Sequence, residues 1–393
     1  MGAATMGERV ALERKLAGLT QQQLAARTHY STSMVRAVEQ GRTEASTAFL
    51  AAVARALRIE LEQLTGQPYR EEMGAGTLPD IADIRALLAE GSRVRAVDPG
   101  DPAELAADLA EVRRLRREDK GRQALSKLPV LLRRLHGAAH AGGEVERGRA
   151  YDMLALAYTS TAMLTYRFGF LPLAALAIDR AETAAERAAD PRMIPHALVH
   201  RGLLLMSYAS YDSARDMIRE AMRTLEDVPR DEGALAVLGS AHLRGAIINA
   251  RSFNLDSARE HIAEAARIGR HVGRETTAYD TNFGPGNVEL HRIGVELDGG
   301  DPGRAAQEGG TLRLPADMKP TRLGHHHMDM ARAWMLAGKP DKALRSLNTM
   351  RRIAPQQCRL HPNVRETVRL IAVTERRKTD SLTAFVGWLG MKL

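Results

Sequence analysis

Residues 19–42 read LTQQQLAARTHYSTSMVRAVEQGR, and the order of residue types in this stretch decides how the N-terminus folds. Gly18 is placed to end a first helix over residues 8–17. Thr20 is a good N-cap, because its hydroxyl accepts one of the backbone N–H groups that a helix start leaves free. A short helix is then predicted over 21–27, with Leu24 and Ala25 facing inward. Residues 28–30 make a tight turn. Ser31 caps a second helix running to Gln40, with Val35 and Val38 spaced to dock it. Gly41 supplies the positive-φ residue that ends it. Tyr30, at the turn, is expected to pack.

Two short helices joined by a tight turn, the second with small polar side chains at its N-terminal end, fit a helix-turn-helix reader of the major groove. The segment resembles the Xre/Cro-type helix-turn-helix, in which an LTQxxLA run leads to a recognition helix ending in E-x-G-[KR]. Those elements are Leu19-Thr20-Gln21-Gln22-Gln23-Leu24-Ala25 and Glu39-Gln40-Gly41-Arg42. The resemblance implies two further helices, matching residues 47–57 and 60–64. It implies that Thr32, Ser33, Arg36 and Ala37 face bases, and that Arg42 grips phosphate. Gln21 would touch the backbone phosphate or brace the reading helix. The chemistry agrees, since short hydroxyls donate or accept in the groove and an arginine pairs bidentately with guanine. One departure is the phase of Val10, Leu12 and Leu16, which differs from the family's first helix.

Twenty-four residues do not account for 393. At roughly 100–200 residues per domain the length implies two or three units or one long array. The net charge of +8 suits a polyanionic partner but does not locate it. Residues 1–66 hold eight Lys/Arg against six Asp/Glu, whereas residues 351–393 hold nine against three. No apolar run approaches the ~18 residues of a membrane helix. No signal-type apolar stretch opens the chain, with Glu8 and Arg9 interrupting early, so a cytoplasmic location is expected, nucleoid-associated when on DNA. Cys358 is the single cysteine, which excludes an intrachain disulfide and a multi-cysteine zinc site.

Residues 65–80, TGQPYREEMGAGTLPD, break helical periodicity and read as a linker, set at 67–80. After them periodicity at i, i+3, i+4 recurs almost throughout, so the chain reads as all-α. An internal repeat underlies it. In MARAWMLAGKPDKALRSLNTMRRIAP (330–355), Ala331 sits twelve before Ala343, Gly338 lies at the turn between helices, Leu347 and Met350 follow, and Pro355 stops the second helix. Gly202, Ala214, Ile218 and Ala221 repeat the frame, as do Ala246, Ala258, Ile262 and Ala265, with weaker copies around Ala174 and Ala305. Small residues there let antiparallel helices approach closely. The pattern resembles the tetratricopeptide repeat, at a spacing longer than its regular ~34 residues. The expected architecture is a five-helix helix-turn-helix domain (1–66) followed by a tetratricopeptide-like α-solenoid (81–393). That combination is similar to the RRNPP class of peptide-sensing regulators and to a group of long actinobacterial regulators. In the latter, phrases such as FGPGNVELHR (283–292), HHMDMARAW (326–334) and HPNVRETVR (361–369) are expected. The Arg bias, 48 against 8 Lys, fits a high-GC genome. What the resemblance implies is transcriptional control by an effector, as in quorum sensing.

The repeat frame points Met163, Leu203, Ile247, Arg332, Thr159, Val199, Leu243 and Met328 into the concave face. One turn further on it adds Tyr166, Met206, Ala250 and Met335, and beside them Arg167, Ser207 and Arg251. Asn287 and His291, at i and i+4, share a face after the Gly284-Pro285-Gly286 turn. As effector-binding candidates we take Tyr166, Met206, Arg251, Asn287, His291, Met328 and Met335. Methionines adapt to irregular partners and suit an apolar peptide. The bland alternative is that these side chains fill a tightly wound superhelix, and Asn249 reads equally as structural. His325-His326-His327 is no metal site by its spacing, since adjacent helical residues point apart. Arg113, Arg114, Arg116 and Arg117 are expected on a solvated helix face, and Arg376-Arg377-Lys378 at a solvated helix end. No phosphate loop, HExxH or GxSxG occurs, so no enzyme and no cofactor is expected.

The reading is therefore a DNA-binding transcriptional regulator, acting as a homodimer on a near-palindromic operator and sensing a signalling peptide or small molecule. The rival is a helical-repeat interaction scaffold in which DNA binding is secondary or lost.

Overall fold

The structure is a computed structural model that describes residues 5–69, 73, 77–374 and 380–391. Among them every regular element is helical, apart from one isolated antiparallel bridge between Thr276 and Phe283. Five short helices form the N-terminal domain: α1 (Met6–Leu16), α2 (Gln21–Thr28), α3 (Thr32–Glu39), α4 (Thr47–Leu57) and α5 (Leu61–Thr65). Thr20 and Ser31 cap α2 and α3 as their sequence position requires, each hydroxyl accepting from the N3 backbone N–H. Gly41 follows α3 at φ 65°. Leu24, Val35, Val38 and Phe49 make the core, and Tyr30 packs edge-on against Phe49, centroids 5.1 Å apart.

The first helix differs from expectation. A Thr5/Glu8 capping box starts α1 at Met6, so Met6, Val10 and Arg14 form its buried stripe. Leu12 and Leu16 are left 53% and 72% exposed.

Helix α6 (Thr77–Ala89) begins inside the stretch expected as linker. Residues 67–69 are pinned rather than free. Gln67 reaches the Leu360 carbonyl at 3.5 Å, and Arg365 stacks over the Tyr69 ring at 4.2 Å.

The remaining helices pair as antiparallel hairpins: α7 (Pro102–Arg117) with α8 (Gly121–Ala141), α9 (Glu144–Arg167) with α10 (Leu171–Ala185), α11 (Met193–Ser207) with α12 (Tyr211–Thr224), α13 (Glu232–Arg251) with α14 (Leu255–Val272), α15 (Pro285–Asp298) with α16 (Pro302–Thr311), and α17 (Pro320–Leu336) with α18 (Pro340–Ile353). Helices α19 (Pro355–Leu360), α20 (Pro362–Thr374) and α21 (Asp380–Trp388) close the described chain. The small residues of the repeat frame sit at the helix crossings. Ala214, Ala246, Ala258, Ala331 and Ala343 are fully buried, and a Cβ on Gly202 would meet Ile218 Cδ1 at 3.1 Å. Proline at N1 opens many of these helices, where its missing N–H costs nothing.

The array curls until its beginning meets its end. The Asp119 carboxylate, in the α7–α8 turn, accepts the backbone N–H groups of Gln356 and Gln357 at 2.7 and 3.0 Å. Thr321 at the start of α17 donates to the Arg117 carbonyl at 3.1 Å. Leu360 belongs to the hydrophobic core of the first repeats. The first helix of each hairpin from α9 to α17, with α20, lines the inside of this ring.

Candidate nucleic-acid interface and enclosed cavity

Helix α3 lies on the outside of the molecule. Ser33, Arg36 and Arg42 are exposed, and Thr32, Ala37 and Gln21 are half-buried. The helix is fixed from behind by Glu39. Arg14 donates to both its carboxylate oxygens, at 2.6 and 2.9 Å, and Gln21 Nε2 donates at 2.8 Å. Burial opposes the Glu39 carboxylate, but these hydrogen bonds outweigh it and hold the pKa below its usual value. Gln21 thus ties α2 to α3, and its Oε1 lies 3.4 Å from Arg36 Nε. Gly7 lets α1 approach closely, since a Cβ there would strike the Val38 carbonyl oxygen.

Other residues of the same domain face the inside of the ring. Met6, Thr47, Leu50, Leu61 and Thr65 line a cavity of about 310 Å³ together with the inner helices. The domain is held there at several points. Leu171 at the start of α10 joins its core, and Arg55 donates to the Tyr208 carbonyl at 2.7 Å. Arg332 on α17 pairs with Glu44 at 2.8 Å, with both side chains under a tenth exposed. Burial disfavours the Arg332 cation, but Glu44, Asp298 and Asp329 reverse this and keep it charged. Arg116, Asp280, Thr281 and Thr321 also belong to the lining. Asp280 is gripped by Arg113 at 3.1 Å, by Arg116 at 3.0 Å and by Arg117. Burial works against its ionisation, yet the three guanidiniums hold its pKa at about 2.

Of the seven effector candidates, Tyr166, Met206, Arg251, Asn287, His291 and Met328 line the cavity. Met335 does not. One turn beyond Arg332, it packs against the separate core built from α18, α20 and α21. Thr159 and Ala250 also lie outside the lining. Asn287 is already engaged, its Oδ1 accepting from Arg322 Nε at 2.8 Å, and its carbonyl oxygen lies 2.8 Å from His291 Nδ1. Arg251 pairs with Asp298 at 2.8 Å. The sequence frame missed His196 and His200 on α11, Ser240 and Arg244 on α13, and Arg322 on α17. Steps of three or four residues backwards reach His196 from Val199, Arg244 and then Ser240 from Ile247, and Arg322 from Met328 through His325; His200 lies next to Val199. The lining is therefore more basic and richer in histidine than the apolar surface expected.

One further expectation is corrected by position. Arg113, Arg116 and Arg117 are not on a solvated face but bind Asp280; only Arg114 is solvated, pairing with Glu111 and Glu118. His325 and His326 line the cavity, with burial holding His326 down to about 4 and His325 well below the ordinary value. Among the described residues no group of three His, Cys, Asp or Glu is placed to hold a metal ion. Arg376-Arg377-Lys378 lies outside the described residues. Burial raises the Cys358 thiol pKa well above its usual value, so the thiol is not reactive.

Residues 10–64 match the helix-turn-helix family model, and the N-terminal domain is a helix-turn-helix domain. No curated protein matches the chain. Similar solved structures include BtubC (BKLC) from P. vanneervenii, 16% identical over 71% of this chain and 98% of that one, with a TM-score of 0.35. They include PlcR from Bacillus thuringiensis, in complex with the peptide PapR7 and DNA, 12% identical over 90% and 96% with a TM-score of 0.37. A mutant of PrgX is 9% identical over 98% and 99% with a TM-score of 0.21. Among the described residues no helix is long and apolar enough to cross a membrane.

Proposed function

We propose that this chain is a sequence-specific DNA-binding transcriptional regulator whose helical ring senses an effector. One observation carries the reading. The helix-turn-helix domain exposes α3 on one side, and residues of the same small domain line the cavity on the other. An occupant of the cavity touches the back of the reader directly. If it prefers one seating of the reader over another, it shifts the population of reading-competent molecules.

Thr32, Ser33, Arg36 and Ala37 then face bases, with Arg42 on phosphate and Gln21 as the brace. The functional unit is a homodimer, whose two α3 helices would sit ~34 Å apart on a near-palindromic operator. The effector is a signalling peptide or a small molecule.

The test is selection of bound fragments from sheared genomic DNA with the wild-type chain and with Ser33→Ala/Arg36→Ala. Both side chains are exposed, so the double variant keeps its fold. Each lost base contact is worth ~1–3 kcal/mol of discrimination. A short, near-palindromic site enriched by the wild type alone supports the reading. Equal enrichment by both proteins sinks it.

A further inference from the structure

Six arginines and three aspartates line the cavity. Some of the arginines have carboxylates of their own: Arg251 pairs with Asp298, Arg332 with Glu44, and Arg116 with Asp280. Among the described residues the other three, Arg167 on α9, Arg244 on α13 and Arg322 on α17, form no direct ion pair; Asp119 acts on Arg167 and Asp329 and Glu275 on Arg322 from further away, while no carboxylate acts on Arg244. Arg167 donates to the Arg116 carbonyl at 3.3 Å. Arg322 donates to Asn287 Oδ1 and lies 3.4 Å from His291 Nδ1. Among the described residues Arg244 has no hydrogen-bond partner, and its enclosed Nε is unsatisfied. Ser240, one turn before Arg244 on the same face, has an enclosed hydroxyl that is also unpartnered. Arg322 acts electrostatically on both Arg167 and Arg244, so the three guanidiniums share one region.

Buried cations without anions are costly, and a protein keeps such a group charged and unpaired only at an energetic loss. Here burial pulls the pKa of Arg167 and Arg244 down to about 10 and lowers that of Arg322. A guanidinium so shifted is still a cation at neutral pH. Beside them Met163, Leu203, Leu243, Ile247 and Leu290 give the same cavity an apolar wall.

We infer that the cavity binds a small organic anion, its negatively charged head held by Arg167, Arg244, Arg322 and Ser240 and its apolar body laid against the methionine, leucine and isoleucine wall. This rests on the effector reading above and names the class of effector. A carboxylate or phosphate head supplies the acceptors that Arg244 and Ser240 lack. A volume of about 310 Å³ is at the small end of ligand sites, which favours a compact acid over a long peptide.

The test is calorimetric titration of the full chain with octanoate, octyl phosphate and octylamine, and with trileucine bearing a free or an amidated C-terminus. The anions are expected to bind and octylamine is not. Arg244→Met is expected to weaken the anions at least about ten-fold, because a hydrogen bond to a charged group is lost. It removes an unpaired buried charge, so its ligand-free Tm is expected to match or exceed that of the wild type, and Arg244→Lys is expected to retain part of the affinity. A preference for octyl phosphate over octanoate assigns a phosphate head. Tighter binding of free than of amidated trileucine, above octanoate, assigns a peptide C-terminus as the source of the carboxylate. The inference is overturned if no anion binds, if octylamine binds as well as octanoate, or if Arg244→Met binds the anions like the wild type. Operator selection by the wild type alone, alongside any of these failures, would leave the DNA-binding reading standing and remove only this one.

Discussion

Gly7 and Glu39 show how single residues set the attitude of the reading helix. Gly7 brings α1 against the α3 backbone, and Glu39 ties the end of α3 to Arg14 and Gln21. A methyl group at position 7 has only the Val38 carbonyl to meet, a group that cannot move without α3. Gly7→Ala is therefore expected to lose about 1–3 kcal/mol in urea unfolding of the reader and to weaken operator binding. Unchanged stability would mean that α1 shifts freely. Much at this scale was legible beforehand. The caps Thr20 and Ser31, the turn glycine Gly41 and the buried Val35 and Val38 all follow from local chemistry. The Thr5-x-x-Glu8 spelling of a capping box is equally local, and reading it moves the start of α1 to Met6 and turns Leu12 and Leu16 outward. The Glu44–Arg332 pair was not legible, because its partners are 288 residues apart and each reads alone as an ordinary surface charge.

At the scale of the helical hairpin, one backbone feature recurs. Each turn between paired helices from α7 to α18 contains a left-handed residue: Asp119, Gly169, Ala209, Phe253, Gly300 and Gly338. Glycine advertises this position in three of the six, which is why the copy around Gly338 read most clearly. In the other three a residue with a Cβ takes the same conformation, held there by the packing of the helices on either side. Phe253 is 70% exposed, so its ring contributes little packing to offset the strain. The left-handed conformation costs roughly 1–2 kcal/mol for an L-residue, and glycine gives back ~0.4–1 kcal/mol through unfolded-state entropy. Phe253→Gly is thus expected to raise the unfolding free energy by about 0.5–1 kcal/mol. A loss of stability in the same denaturation experiment would show that the exposed ring has a role in holding the turn. Small residues at helix crossings marked the hairpins, but the inner face was only half-read. The frame took positions three before and one, four and five after the small residue at each crossing, and Arg244 and Arg322 lie two and nine residues before theirs.

For the whole molecule, the buried histidines set the acid limit. Burial pulls His136, His196, His242 and His326 down to about 4 and His361 to about 3, with His200, His291 and His325 well below the ordinary value. Each stays neutral when folded and takes a proton when unfolded. Its contribution is complete above the unfolded pKa of ~6.5 and is lost as pH falls toward the folded value, at about 1.4 kcal/mol per pH unit. Asp329 and Glu366, raised by burial to about 7, and Asp119, raised by burial to about 6, act in the opposite sense, favouring the fold as pH falls from 7 toward 4. The histidines outnumber them, so the urea midpoint is expected to fall between pH 6.5 and 4. A midpoint that rises toward pH 5 would show that the acids dominate.

The contact of Asp119 with Gln356 and Gln357 also changes how the array comes apart. A linear stack of repeats frays from its free ends, losing one unit at a time, because each unit leans only on its neighbours. A stack bent round until first and last units touch has no end to fray, and opening it anywhere removes support from both sides at once. Calorimetry should therefore record one heat-absorption peak for the ring, with van't Hoff and calorimetric enthalpies in agreement. Asp119→Ala, by cutting the clasp, should split that peak into two.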